Sequence, residues 1–146
     1  IKQKNYQPSK SNVYIKSSIT YAKDLFKENY PNEKIMHIII NNYSIDGRNY
    51  FYLQDNLEYE QLNLVIQFKS ISRDTMSSLN KVLENYQINI TKYLDGNYVK
   101  NFNKEEIEIS KMAFKILNGA NENEVTIIEK NTKKLGFFEK FFQLFS

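Results

Sequence analysis

Residues 35–47 read Ile-Met-His-Ile-Ile-Ile-Asn-Asn-Tyr-Ser-Ile-Asp-Gly. From Ile35 to Ile40 every residue except His37 is apolar, which is typical of a strand buried on both faces. Asp46-Gly47 then supplies the chemistry of a turn, because glycine adopts a positive φ at little cost. We therefore expect this stretch to lie in the middle of a sheet that the rest of the chain covers.

The same stretch resembles the central strand of the SHS2-type subdomain that is inserted in FtsA, the actin-like bacterial division protein. The resemblance is carried by His37, three aliphatic positions and the Tyr-x-Ile-Asp-Gly at residues 43–47, and it extends over residues 11–98. It departs at Ile40, where FtsA-like sequences usually carry proline, and at residues 53–56, where they tend to have a Pro-x-Gly-Leu turn. The resemblance implies a curved sheet with two helices that contacts neighbouring copies or other division proteins.

The composition bounds the class of protein. A chain of 146 residues that is 41% hydrophobic can build one domain, or one small domain with an appendage. A net charge of +3 does not indicate a nucleic-acid partner, and the absence of cysteine excludes disulfides and thiolate metal sites. The first residue is Ile1, so we expect a fragment or a processed product. With no secretory signal and no apolar run near the ~20 residues of a membrane span, we expect a soluble, cytoplasmic protein.

Hydrophobic periodicity predicts the elements of an α+β fold. We expect strands over residues 12–16, 35–45, 62–71 and 88–94, the last closing at Asp95-Gly96, and helices over residues 18–29 and 72–86. Ser18 and either Ser72 or Asp74 are the predicted N-caps. Residues 48–60, rich in tyrosine, favour an irregular hairpin arm. These elements predict an α+β fold with two helices on one sheet face and a C-terminal helical extension. The resemblance to the FtsA subdomain implies that the sheet is an SHS2-like curved sheet of about four strands.

Four segments follow from this pattern: a flexible arm at residues 1–11, an SHS2-like domain at 12–100, a helical extension at 101–129, and a basic linker with a last helix at 130–146. Asn103 and Glu106 have capping-box spacing, and Gly119 fits the residue after a helix C-terminus. A short strand is expected at residues 125–128.

The sequence contains no recognisable catalytic constellation, so we predict that the protein is not an enzyme and uses no cofactor. His37 is expected to be a buried, hydrogen-bonded structural histidine. Two interpretations exist for Glu105, Glu106 and Glu108. Favourable negative charge at a helix N-terminus is a simpler explanation for them than a catalytic carboxylate pair. The four glycines stand alone, and the phosphate-binding loops of whole FtsA have no counterpart here, so its ATP binding is not carried over.

The C-terminal stretch combines a broad aromatic face with a basic flank. The aromatic face consists of Phe137, Phe138, Phe141, Phe142 and Phe145, and the flank of Lys133, Lys134 and Lys140. Such a short helix can lie in a membrane interface, fill a groove on a protein partner, or complete the core of its own domain. Whole FtsA also ends in a short amphipathic membrane-targeting helix, which favours peripheral attachment to the inner face of the cytoplasmic membrane.

Two functional hypotheses follow. The first is a division-associated adaptor that makes protein–protein contacts, through division proteins or self-association, and is anchored by its last helix. The alternative is a stand-alone interaction domain whose last helix packs into its own core. Four tyrosines cluster around the hairpin arm: Tyr43, Tyr50, Tyr52 and Tyr59. We expect them to pack across the hairpin, and the alternative is that they form a binding face.

Overall fold

The computed structural model describes residues 2–4, 11–53, 59–102 and 108–125, and it shows an α+β fold. The described elements are, in chain order, β1 (Lys2–Lys4), α1 (Ser11–Asn29), β2 (Glu33–Ile45), β3 (Arg48–Tyr50), β4 (Gln61–Ser72), α2 (Arg73–Glu84), α3 (Gly96–Phe102) and α4 (Ile109–Leu117). The strands form one antiparallel sheet in the order β1-β4-β2-β3. None of the described helices is long and apolar enough to cross a membrane.

The pairing of β2 with β4 is the longest in the sheet. It runs from Glu33 opposite Ser72 to Ile45 opposite Leu62, with irregularities that insert one extra residue at Met36 and another at Asn41. Each extra residue shifts the alternation of side chains by one position. As a result, the apolar residues before and after it point to the same face of the sheet. On one face lie the buried side chains of Ile38, Ile40, Tyr43 and Ile45 from β2 and Leu62 and Leu64 from β4. The predicted central strand and the predicted strand at residues 62–71 are confirmed.

A two-residue turn joins β2 to β3. Asp46 has φ 46° and Gly47 has φ 81°, the left-handed pair that a tight hairpin requires. The Asp46 carboxylate accepts hydrogen bonds from the backbone N–H groups of Glu60 (3.1 Å) and Gln61 (2.7 Å). The turn therefore also holds the start of β4 in place. Part of the predicted hairpin arm is thus the short strand β3.

Helix α1 covers the core face of the sheet. Ile15 and Ile19 are buried there, and the ring of Phe26 lies 5.0 Å from that of Phe68 on β4. The predicted edge strand at residues 12–16 is wrong, because Ile15 continues the helical spacing of Ile19 back to Ser11. Ser18 is consequently a buried residue inside the helix and not its N-cap. The sheet edge is taken instead by β1, which lies in the predicted N-terminal arm.

Helix α2 begins as predicted at Ser72, whose side chain accepts a hydrogen bond from the backbone N–H of Thr75. It does not cover the sheet, since none of its residues is buried. The predicted strand at residues 88–94 is also wrong, because this segment packs across α2 without joining a ladder. The Tyr93 hydroxyl donates to the Asn80 side chain at 2.6 Å, and Asp95 begins α3 instead of closing a turn.

Helices α3 and α4 form a second, smaller core. Val99, Met112 and Ile116 are its buried members. Gly119 has φ 78°, and the N–H groups of Gly119 and Ala120 bond to carbonyls of the last turn of α4, so the predicted C-terminal glycine is confirmed. The predicted capping box at Asn103 and Glu106 lies outside the described residues. Of the predicted strand at residues 125–128 only Val125 is described, and its N–H bonds to the Ile38 carbonyl at 2.8 Å.

Candidate interaction surfaces

His37 is the centre of a buried polar cluster. Its side chain is on the face of β2 opposite the core, and the residue is 2% exposed. The backbone N–H of Asp95 donates to Nε2 at 3.0 Å, and Nδ1 lies 2.6 Å from Oε1 of Glu124. Because a backbone N–H can only donate, Nε2 is the acceptor. The Nδ1 atom therefore carries the proton and donates it to the carboxylate.

Tyr98 completes the cluster from α3. Its hydroxyl donates to Oε2 of Glu124 at 2.7 Å and accepts from the Asn121 side chain, also at 2.7 Å. The Asp95 carboxylate caps α3 by accepting the N–H of Tyr98. Burial and, after it, the bond to Glu124 raise the pKa of Tyr98 well above its usual range. The network is satisfied at each of these atoms and joins β2, α3 and residues 121–124.

The cluster explains why a histidine stands in an apolar strand. A carboxylate that orients Nδ1 is also found in catalytic histidine pairs, where Nε2 is free to take a proton. In His37 the Nε2 atom is occupied by a main-chain donor, so the ring has no nitrogen left for a substrate. The predicted structural histidine is confirmed. The sequence could not supply its partners, because Asp95 and Glu124 lie far from His37 along the chain and follow no motif.

A groove opens beside the first half of β2. It encloses about 580 Å³ and lies between the last turns of α1, residues 91–94 and the end of α4. Part of its lining is apolar and consists of Ile35, Ile38, Ile71, Ile116, Leu117 and Val125. Its volume lies within the range of sites that hold small ligands or short peptide segments.

The lining of the groove is positively charged. Five cations come from four separate parts of the chain: Lys23, Lys27, Lys34, Arg73 and Lys92. The two carboxylates in the lining are Glu33 and Glu124, and Glu124 is engaged by His37 and Tyr98. Five cations against two carboxylates leave a local net charge of +3. No run of lysines in the sequence predicts this surface, because the fold brings its members together.

A second surface is the exposed apolar side of α2. Met76 and Leu83 are half-buried, whereas Leu79 is 43% exposed, Val82 57% and Tyr86 73%. Leu79 and Val82 lie at helical spacing on α2, and Tyr86 lies in the turn that follows the helix. We call these three exposed residues the α2 stripe. The apolar side of this helix is therefore wider than the surface that the described chain covers.

The remaining predicted site residues fall elsewhere. Glu108 precedes α4, and its side chain makes no capping hydrogen bond. Hydrogen bonds from the side chains of Lys111 and, to a smaller extent, Ser110 lower the pKa of its carboxyl group. Glu105 and Glu106, the five phenylalanines of the last helix and Lys133, Lys134 and Lys140 lie outside the described residues. Within the described ranges, no group of three or more His, Cys, Asp or Glu side chains could hold a metal ion.

Tyr43 and Tyr59 are buried in the core, and Tyr50 is half-buried opposite Tyr43, as the packing interpretation expects. Tyr52 departs from this interpretation, because it is 60% exposed.

Comparison of the chain with protein-family models, with curated proteins and with solved structures finds no match.

Proposed function

We propose that this chain is a non-enzymatic adaptor domain that associates with further copies of itself through the α2 stripe. The observation that carries the proposal is the exposure of Leu79 and Val82 on a helix with no buried residue, together with that of Tyr86 in the turn that follows the helix. Apolar stripes of this kind are costly to leave in water and mark sites of protein contact. A tyrosine at the end of the stripe adds a side chain that is common among binding hot spots.

The rim of the α2 stripe favours a second copy as its partner. A two-fold axis between antiparallel helices brings the same flank of each helix face to face. The open flank of the stripe carries Thr75, Ser78 and Asn85, all uncharged. Self-association therefore places no like charges against each other.

The resemblance to FtsA supports cell division as the setting of this adaptor. In this chain the central strand of an antiparallel sheet ends in Asp46-Gly47, which are among the residues that carry the resemblance, and the resemblance implies contacts between neighbouring copies or with other division proteins. We propose that the C-terminal phenylalanines attach the assembly to the inner face of the cytoplasmic membrane. Weak partitioning of single tails becomes firm when several copies assemble, since linked binding events raise effective concentration.

Sedimentation equilibrium of the full chain tests self-association. We expect a concentration-dependent dimer or larger species for the wild type and a monomer for Val82→Glu, because the new charge would be buried without a partner. Val65→Glu is the matched control, since Val65 is 54% exposed on β4, away from the α2 stripe. Circular dichroism melts check that both variants fold. A monomeric wild type, or equal loss of association in both variants, rejects the proposal.

A further inference from the structure

The outer edge of β4 is paired along only part of its length. β1 pairs with residues 61–63, and among the described residues no strand pairs with this edge at residues 65–72. The inner edge of β4 pairs with β2 as far as Ser72. The unpaired stretch, which we call the open edge of β4, is as long as a typical strand.

The backbone groups of the open edge alternate in direction. At one end of β4, the N–H and C=O groups of Gln61 both bond to the turn after β2, and at the other end the N–H of Arg73 bonds to a carbonyl that precedes β2. Odd-numbered residues therefore turn their backbone groups toward β2, and even-numbered residues turn theirs outward. The outward groups are those of Ile66, Phe68 and Ser70. Within the described ranges none of these groups has a hydrogen-bond partner, so the edge is a template for a further strand.

The core is incomplete beside the open edge. Leu62 and Leu64 lie at and next to the pairing with β1, and they are 0% and 6% exposed. Ile66 and Phe68 follow on the same face of β4 but are only half-buried. A further strand in line with β1 would cover them as β1 covers the start of β4, and the burial of their apolar area would stabilise that strand on the sheet.

Helix α1 presents an apolar side chain on the flank toward the open edge. Lys23 and Lys27 line the groove beside β2, so their flank of α1 faces away from the outer edge of β4. Leu25 lies on the opposite flank, because successive helical residues are about 100° apart. It is 39% exposed. An added strand would therefore meet apolar side chains on the core side of the edge.

The other side of the open edge is more polar. Gln67 is exposed and Lys69 is half-buried, and both side chains point away from the core. Lys69 is the single charged residue among residues 65–72. No carboxylate within the described ranges forms an ion pair with it. A carboxylate opposite Lys69 on an added strand would make a favourable cross-strand pair.

We infer that the open edge of β4 binds an extended segment of a partner protein, which runs antiparallel to β4 in line with β1. The segment carries apolar residues at every second position, facing Ile66 and Phe68, and a carboxylate between them, facing Lys69. Its main chain bonds to the outward groups of β4, as in other cases of strand addition.

A second copy of β4 suits this edge less well. A two-fold axis near Phe68 would bring Lys69 of one copy close to Lys69 of the other, and like charges in such cross-strand positions repel. The inference goes beyond the proposed self-association and uses a different surface from the α2 stripe, so either can fail alone.

Amide hydrogen exchange of the full chain, followed by nuclear magnetic resonance, tests whether the edge is open. We expect the N–H groups of Ile66, Phe68 and Ser70 to exchange about tenfold or more faster than those of Gln67 and Lys69, which face β2. Equal protection of the two sets overturns the inference. Protection that falls on dilution then indicates a second copy on the edge, and protection that persists indicates another segment of the same chain.

Fluorescence anisotropy of labelled peptides with the full chain tests the chemistry of the partner. The probe is a peptide of ~6 residues that alternates valine and threonine, with glutamate in place of the central threonine. N-methylation of its valines removes the N–H groups that face β4, and we expect it to weaken binding about tenfold or more. N-methylation of the other residues removes only N–H groups that face away from β4 and should leave binding intact.

A charge swap places the peptide against Lys69. Lys69→Glu should weaken binding of the glutamate peptide about threefold and should make the chain prefer a peptide with lysine at that position. Lys100→Glu makes the same change in net charge on an exposed residue of α3 and should keep the wild-type preference. Val82→Glu should bind the glutamate peptide as the wild type does, which separates the open edge from the α2 stripe.

Three binding results would overturn the inference. In the first, the full chain does not bind the glutamate peptide. In the second, methylation of the valines and methylation of the other residues weaken binding equally, which shows attraction without strand addition. In the third, Lys69→Glu and Lys100→Glu have the same effect, which shows that the carboxylate does not face Lys69.

Discussion

The Nδ1 atom of His37 in β2 lies 2.6 Å from Oε1 of Glu124, which is 87 residues later in the chain. This contact crosses the predicted boundary between residues 100 and 101 and ties the helical extension to the central strand. Tyr98 adds a second bond to the same carboxylate. The cluster is buried and its polar atoms are hydrogen-bonded, so removal of the Glu124 carboxylate would leave the donors of His37 and Tyr98 without partners.

Glu124→Ala should lower the free energy of unfolding by about 1–3 kcal/mol, because it leaves the Nδ1–H of His37 and the hydroxyl of Tyr98 without acceptors. Urea unfolding followed by circular dichroism measures the change. Glu122→Ala is the control, since Glu122 is exposed two residues away and its removal should cost at most about 0.5 kcal/mol. Equal effects in the two variants would contradict the structural role of the cluster.

Alkaline pH should destabilise the fold through its buried tyrosines. Burial raises the pKa of Tyr43 to about 12 from the ordinary value of 10.0. Because the folded state holds this proton more tightly than the unfolded state, the stabilisation is complete below pH 10 and is lost as pH rises from 10 to 12. Within this window the loss approaches about 1.4 kcal/mol per pH unit.

Urea unfolding of Tyr43→Phe between about pH 9 and about pH 11.5 tests this assignment, because this range starts below the ordinary tyrosine pKa of about 10 and covers most of the window above it. The variant should show a shallower loss of stability with pH than the wild type, because the titrating hydroxyl is gone. Tyr52→Phe, at a position that is 60% exposed, should keep the wild-type slope. The assignment fails if Tyr43→Phe and the wild type lose stability in parallel.

Two glycines should respond to alanine with opposite signs. At Gly47 an added Cβ meets nothing within 4 Å, but φ is 81°, so Gly47→Ala should destabilise the hairpin by about 1 kcal/mol or more. Gly96 is equally open and begins α3, where alanine is the better helix former, so Gly96→Ala should be neutral or stabilise by up to about 1 kcal/mol. Thermal melts compare the two. Destabilisation of similar size by both changes would contradict the assignment of the cost to φ, because the two sites are equally open and differ in φ.

Local chemistry determined which parts of the fold could be predicted. The strand at residues 35–45, the Asp46-Gly47 turn, the Ser72 cap and Gly119 follow from short-range preferences that the tertiary structure leaves unchanged. Residues 12–16 and 88–94 were misassigned because two or three alternating apolar residues fit a strand and a helix or packed loop equally well. The groove and the partners of His37 depend on contacts between distant segments, which periodicity does not contain.

The C-terminal phenylalanines provide the last prediction. If they anchor the protein, the full chain should sediment with vesicles containing anionic lipid, whereas a chain ending at Asn131 should remain in the supernatant. Phe138→Glu/Phe142→Glu should also abolish binding, because two charges on the aromatic face oppose its burial in the interface. Lys133 and Lys134 should make the binding of the full chain weaken as salt is raised.

Melting curves of the same three proteins decide between the two hypotheses for this segment. An anchor leaves the melting temperature unchanged when it is removed or charged, since it contributes nothing to the core. A segment that packs on its own domain lowers the melting temperature in both variants, because the surface it covered becomes exposed. Loss of stability without any lipid binding by the full chain would reject membrane attachment and leave the α2 stripe as a surface that the tail could cover.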